Sequence, residues 1–210
     1  MELVNYDAAF ERFQAAAAAL SGGSTAICKF EKGDWLLGSE KTDVPNGTLL
    51  AVDMMRAEWG WVRWLDNRPV ERRMVMVASG TPFVLRSELG HMDEALWARD
   101  DQGRPRDPWQ SMIEIPAREV SGARREMVLS GGSRGWDGCC KELFGTFGEQ
   151  MRENRGKTPI VKLGTSSYDH KKYGRVKVPV LELVEWRSPL ELAGLEDKGG
   201  KKAAKVATAF

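Results

Sequence analysis

The chain is poor in the residues that make metal and disulfide frameworks. Its 210 residues include three cysteines and two histidines. Cys28, Cys139 and Cys140 are odd in number, and two of them are adjacent, which does not suit a disulfide scaffold. There is no C-x-x-C, and His91 and His170 stand alone, so no structural zinc site, metal or other cofactor is expected. Long apolar runs are also missing. The longest, Ala15–Leu20, falls far short of the roughly 20 residues that span a bilayer. The opening Met1–Asp7 lacks a basic region, so a soluble, cytoplasmic protein without a signal peptide or membrane partner is the expectation. Net charge is nearly absent too. There are 31 Lys and Arg against 30 Asp and Glu, which excludes a strongly basic packaging protein and an acidic disordered chain. Tyrosine is scarce, with three residues, whereas there are eight tryptophans.

The neutrality conceals a gradient. Residues 1–117 carry a net charge of −5, residues 118–177 a net of +6, and residues 178–210 are balanced. The positive charge gathers mostly between Arg152 and Lys177. A local basic surface on a neutral chain points to an anionic ligand more than global charge does, the alternative being a solvated face.

Alanine-rich residues 5–20, with Tyr6, Phe10, Phe13 and Ala17 at helical spacing, predict an amphipathic helix. Ser21–Ser24 is a joint. Short β segments follow at Thr25–Phe30, Asp34–Gly38, Thr48–Met55, Glu58–Leu65, Arg73–Ala78, Ser111–Arg118, Glu126–Ser130, Thr158–Gly164 and Val176–Trp186. Asn46-Gly47 reads as a tight hairpin and Arg99–Pro108 as a long exposed loop. A Gly-rich loop over Ser130–Gly138 precedes a helix over Gly138–Arg152. The pattern predicts a mainly β domain over 24–188, an OB-like barrel or a compact sandwich with one late helix. Residues 1–23 form its N-terminal helix and joint, and residues 189–210 a flexible Lys/Ala/Gly tail.

Three constellations point to nucleic acid. On a strand, Trp59, Trp61 and Arg63 share one face and Val62 and Trp64 the other. Two indoles beside a guanidinium make a stacking platform with a phosphate partner, although core packing is the competing reading. Residues 167–177 mix Tyr168, His170 and Tyr173 with Lys171, Lys172, Arg175 and Lys177, while Val176, Val178 and Val180 take the opposite strand face from Arg175 and Lys177. Cations follow phosphates and rings stack bases. The loop over Ser130–Gly138 offers Arg134 and Trp136, but matches neither a P-loop nor a dinucleotide fingerprint. Carboxylates for a metal-dependent nuclease are available at Asp53, Glu58, Asp93, Glu94, Asp100, Asp101, Asp107 and Glu114, but in no recognisable spacing.

Trp61-Val-Arg-Trp64, Arg86–Gly90, Trp97–Gly103, Asp107-Pro-Trp-Gln110 and Tyr168–Gly174 give the chain a resemblance to uncharacterised phage and prophage proteins of proteobacteria. The resemblance implies company with replication and recombination genes, and so a single-stranded DNA-binding role. Bacterial single-strand-binding proteins end in an acidic tail with a terminal Phe, whereas here the segment before Phe210 carries lysines. The expectation is a non-enzymatic binder of single-stranded DNA or RNA that stacks bases on Trp59, Trp61, Trp136, Tyr168 and Tyr173. The alternatives are an interaction or inhibitor protein docking on an enzyme through residues 5–20, the tail or its acidic half, and, less favoured, a nuclease. Self-association through the helix is compatible with either binding role.

Overall fold

The computed structural model describes residues 25–172 and 174–194. The expected helix over 5–20, Tyr173 and the tail beyond residue 194 lie outside the described residues.

Alternating side chains build strands β1 (Ala26–Glu31) and β2 (Asp34–Leu37), joined by Lys32-Gly33, both at positive φ. Then come β3 (Thr42–Val44), β4 (Leu49–Val52), β5 (Glu58–Leu65) and β6 (Arg68–Met76). A two-residue ladder pairs β7 (Ala98–Arg99) with β8 (Pro105–Arg106). The long strand β9 (Trp109–Glu119) and β10 (Glu126–Gly131) lead into helix α1 (Arg134–Gln150). A hairpin of β11 (Thr158–His170) and β12 (Gly174–Arg187) follows, and then a helical turn α2 (Pro189–Leu192) capped by Ser188.

The described residues are mainly β, and the main sheet is mixed and not closed. Its order is β12-β11-β4-β9-β10-β1-β2-β3, with β1 and β10 parallel and the other pairs antiparallel. Strand β9 organises it. One edge of β9 holds β10. The other holds β5 along Trp109–Glu114 and then β4 along Ala117–Glu119. The chain between β4 and β5 bulges into a 3-10 turn, Met54–Arg56, capped by the Asp53 carboxylate, which accepts from Arg56 N–H (3.2 Å). The sheet therefore forks at β9 into a β5–β6 wing and a β4–β11–β12 wing.

The core lies under the row Cys28, Leu129 and Ile115, neighbours on three adjacent strands and fully buried. Trp35, Val52, Leu163 and Leu181 join them. Helix α1 adds Trp136, Cys140 and Leu143 from one face, as the i, i+4, i+7 spacing requires. Each large side chain buried in this way stabilises the fold by roughly 1.5–3 kcal/mol. All three cysteines are free and buried. Burial pushes the Cys28 and Cys139 thiols up to about 12 and the Cys140 thiol higher still, so they pack as apolar groups.

Local signals misplace several elements. Asn46-Gly47 is not a hairpin, because β3 pairs with β2 whereas β4 pairs with β9 and β11. The turn that Asp66-Asn67-Arg68-Pro69 signals in the sequence does form, at Asp66-Asn67, both at positive φ, but β6 starts at once at Arg68 rather than at Arg73. Helix α1 starts at Arg134, four residues earlier than expected, because the Ser133 hydroxyl accepts from Trp136 N–H (3.2 Å) and caps it.

Candidate nucleic-acid interface

Parity places Trp59, Trp61 and Arg63 on one face of β5, as expected, but that face is covered. Phe83 stands edge-on to the Trp59 ring (centroids 5.1 Å) and tilted over Trp61 (5.9 Å). Trp61 Nε1 donates to the Val84 carbonyl (2.7 Å). Arg63 pairs with Glu71 (3.3 Å) and lies over the ring of Trp109, its cross-strand neighbour. Trp59 Nε1 is buried without a partner. The two half-buried indoles thus form a satellite cluster with Phe83.

Trp136 also differs from the sequence expectation. It belongs to α1 rather than to a loop, is 2 % exposed, packs edge-to-face on Trp35 (6.0 Å), and donates from Nε1 to the Ile113 carbonyl (3.1 Å). Its neighbour Arg134 is exposed. The backbone is drawn in here because Gly132 abuts the Ser111 carbonyl with no room for a Cβ.

The β11–β12 hairpin assembles the remaining expected residues into an arm. β11 pairs with β4 only over Ile160–Lys162, yet continues with β12 for eight more residues to His170. The arm is anchored at its base. Trp35 Nε1 donates to the Gly164 carbonyl (3.1 Å), the Thr165 hydroxyl donates to the Gly33 carbonyl (3.2 Å), and the Lys177 side chain lies directly over Gly33. On α1, Gly135 meets Val178 (Cγ1 3.0 Å from where a Cβ would stand). The β1–β2 turn therefore meets the arm at Lys177 and the start of α1 meets it at Val178, on the opposite strand face.

Register splits the arm's chemistry. Tyr168 stands opposite Val176 and His170 opposite Gly174 on one face, their rings 6.4 Å apart, while Ser167 and Asp169 stand opposite Lys177 and Arg175 on the other. Arg175 Nε donates to the Ser167 hydroxyl (2.9 Å). Tyr168 is 52 % exposed, and Lys171 and Lys172 are exposed at the tip. Residues 164–178 carry four cations and one carboxylate.

A two-part cleft, which the sequence did not reveal, opens beside this region. Its narrow part, about 300 Å³, runs between Lys29–Glu31 of β1 and Gly131–Ser133. Its wide part, about 850 Å³, lies between the β5–β6 turn and residues 91–108. Trp64, Asn67, Arg106 and Gln110 line both. Trp64 lines the cleft while Val62, two residues back on the same face of β5, is buried opposite Gln110.

The acidic residues mostly serve structure. Asp53 and Asp93 cap 3-10 turns, Asp100 pairs with Arg104, Asp107 with Arg86, and Glu114 with Arg72. Asp107 is thus an anchor rather than a solvated loop residue. Among the described residues no group of three or more His, Cys, Asp or Glu is placed to hold a metal ion, and no helix is long and apolar enough to cross a membrane. No protein-family model matches the chain, and it matches neither a curated protein nor a solved structure.

Proposed function

We propose that the protein binds single-stranded nucleic acid, DNA in the first instance, without catalysing a reaction. The observation that carries this reading is the β11–β12 arm, which extends past the sheet with a net charge of +3 and an exposed tyrosine. Lys171, Lys172, Arg175 and Lys177 supply cations for phosphates, the exposed Arg134 of α1 adds another, and Tyr168 supplies a ring for a base. The curled sheet fits an incompletely closed, OB-like barrel. In support, the Trp35 indole bridges β2 to β11, strands far apart in sheet order, at the base of the arm. The phage replication setting rests on the sequence resemblance alone.

Titration of a labelled oligonucleotide at several salt concentrations tests the reading. Micromolar protein should bind at low salt, with affinity falling as salt rises. Replacing Lys171, Arg175 and Lys177 with Ala should flatten the log–log salt slope by roughly 2, at about 0.7 per phosphate contact on a single strand. No binding at low salt, or a slope unchanged in the folded triple variant, would overturn it.

A further inference from the structure

The cleft beside the arm has a charge layout unlike a phosphate track. Its narrow part carries Lys29 and, at the junction with the wide part, Arg106. The Gln110 amide oxygen, in the orientation that satisfies both groups, accepts from Arg106 Nη2 (2.8 Å) and Nε (3.0 Å), holding the guanidinium at the junction. The wide part is different. Arg63 there is neutralised by Glu71, and Arg99 donates to the Gly103 carbonyl, whereas Asp66, Asp93 and Asp101 have no ion-pair partner among the described residues. A phosphate is favoured along the narrow part, whose one carboxylate, Glu31, is paired with Lys41, over the wide part with its mixed charges.

The walls of the wide part suit a flat, uncharged group. Trp64 and Trp97 line it, together with the exposed apolar side chains of Leu65 and Leu96, the latter 83 % exposed. Asp66 and Asp101 are acceptors only, and a carboxylate accepts well from an exocyclic amino group. Asn67 adds an amide. Position completes the argument. The narrow part is bordered by Glu31 and Ser133, each two residues from the glycines, Gly33 and Gly135, on which the arm is seated.

We propose that the wide part of the cleft takes one unstacked nucleobase bearing an exocyclic amino group, adenine, cytosine or guanine rather than thymine, between Trp64 and Trp97, with its flanking phosphates on Arg106 and Lys29. This rests on the nucleic-acid reading of the arm. The acidic lining keeps the backbone out and the base in, so the site gives the protein a sequence preference that the arm alone lacks.

The test uses oligothymidylate of fixed length carrying one central dC, dA, dT or abasic residue, bound to the full chain at fixed salt. The dC and dA strands should bind about 5–100-fold tighter than the dT strand, the range of a good base-edge contact. Asp66→Asn with Asp101→Asn, exposed changes that leave the fold intact, should remove most of that ratio while dT binding stays the same or rises. Trp97→Ala should weaken the dC and dA strands to the abasic level. Equal binding of all four strands, with the arm variant still weakened, overturns the cleft proposal and leaves the arm reading standing. No binding of any strand overturns both. A dC or dA preference that survives in the Asp variant overturns the assignment of the carboxylates.

Discussion

Arg86 holds down the segment that covers Trp59 and Trp61, and removing it should open that segment without unfolding the sheet. Its guanidinium is bidentate to Asp107 (Nε–Oδ2 2.7 Å, Nη2–Oδ1 2.8 Å). It also donates to the carbonyls of Gly90 (2.7 Å) and His91 (3.0 Å) and lies over the Trp97 ring. Asp107 in turn accepts from Trp109 N–H (2.8 Å), which ties the loop to the start of β9. The two side chains are 17 % and 30 % exposed. Breaking a fully buried pair costs about 3–5 kcal/mol and a surface pair about 0–1, so Arg86→Ala should cost about 2–3 kcal/mol here. If the loss stays local, amide exchange across residues 84–97 should speed up about 30–150-fold, because each 1.36 kcal/mol is tenfold, while β9 and β10 remain protected. Hydrogen-exchange mass spectrometry reads this directly. Arg86→Lys should fail to restore protection, because an ammonium lacks the fork that meets both carboxylate oxygens and two carbonyls. Adding Asp107→Asn to Arg86→Ala should recover part of the loss, because it removes the unpaired carboxylate. Exchange within threefold of wild type in Arg86→Ala would refute the anchoring argument.

Two further outcomes follow from the core and from the Glu119–Arg125 pair. Trp136→Ala should lower unfolding free energy by about 3–5 kcal/mol in urea denaturation, because it removes a 2 % exposed indole and its bond to the Ile113 carbonyl. A loss under 1 kcal/mol would place the ring outside the core. The Arg125 guanidinium, hydrogen-bonded to the buried Glu119 (2.5 Å), holds that carboxyl below its ordinary 4.5. A lowered folded value means the pair's stability is complete above 4.5 and is lost as pH falls through the folded value. Glu119→Gln should therefore be less stable than wild type at pH 7 and converge with it in acid. Parallel stability curves down to pH 3 would contradict this.

Much of the local structure was legible because it is periodic. Strand β5 has the expected bounds, Glu58–Leu65, and β12 sets Arg175 and Lys177 opposite its valines in the way alternation requires. Local signals failed where long-range pairing overruled them. The Asn46-Gly47 turn bridges strands with different partners. The Ser130–Gly138 glycines read as a loop, yet Ser133 caps a helix among them and Gly132 serves close approach to Ser111. Nothing in residues 79–108 announced that Phe83 would cover two tryptophans or that Arg86 would fasten the segment to Asp107.

The sequence by itself determined a mainly β chain, the division of each strand into two faces, and the concentration of cations toward residues 152–177. These are properties of neighbours along the chain, set by side-chain period and charge. Which face is buried is a different kind of fact. It follows from the register of β9 with its three partners and from what lies over each wing. That is why Trp136 is packed into the core and Trp59 and Trp61 are half-buried against Phe83, while Trp64 lines the cleft.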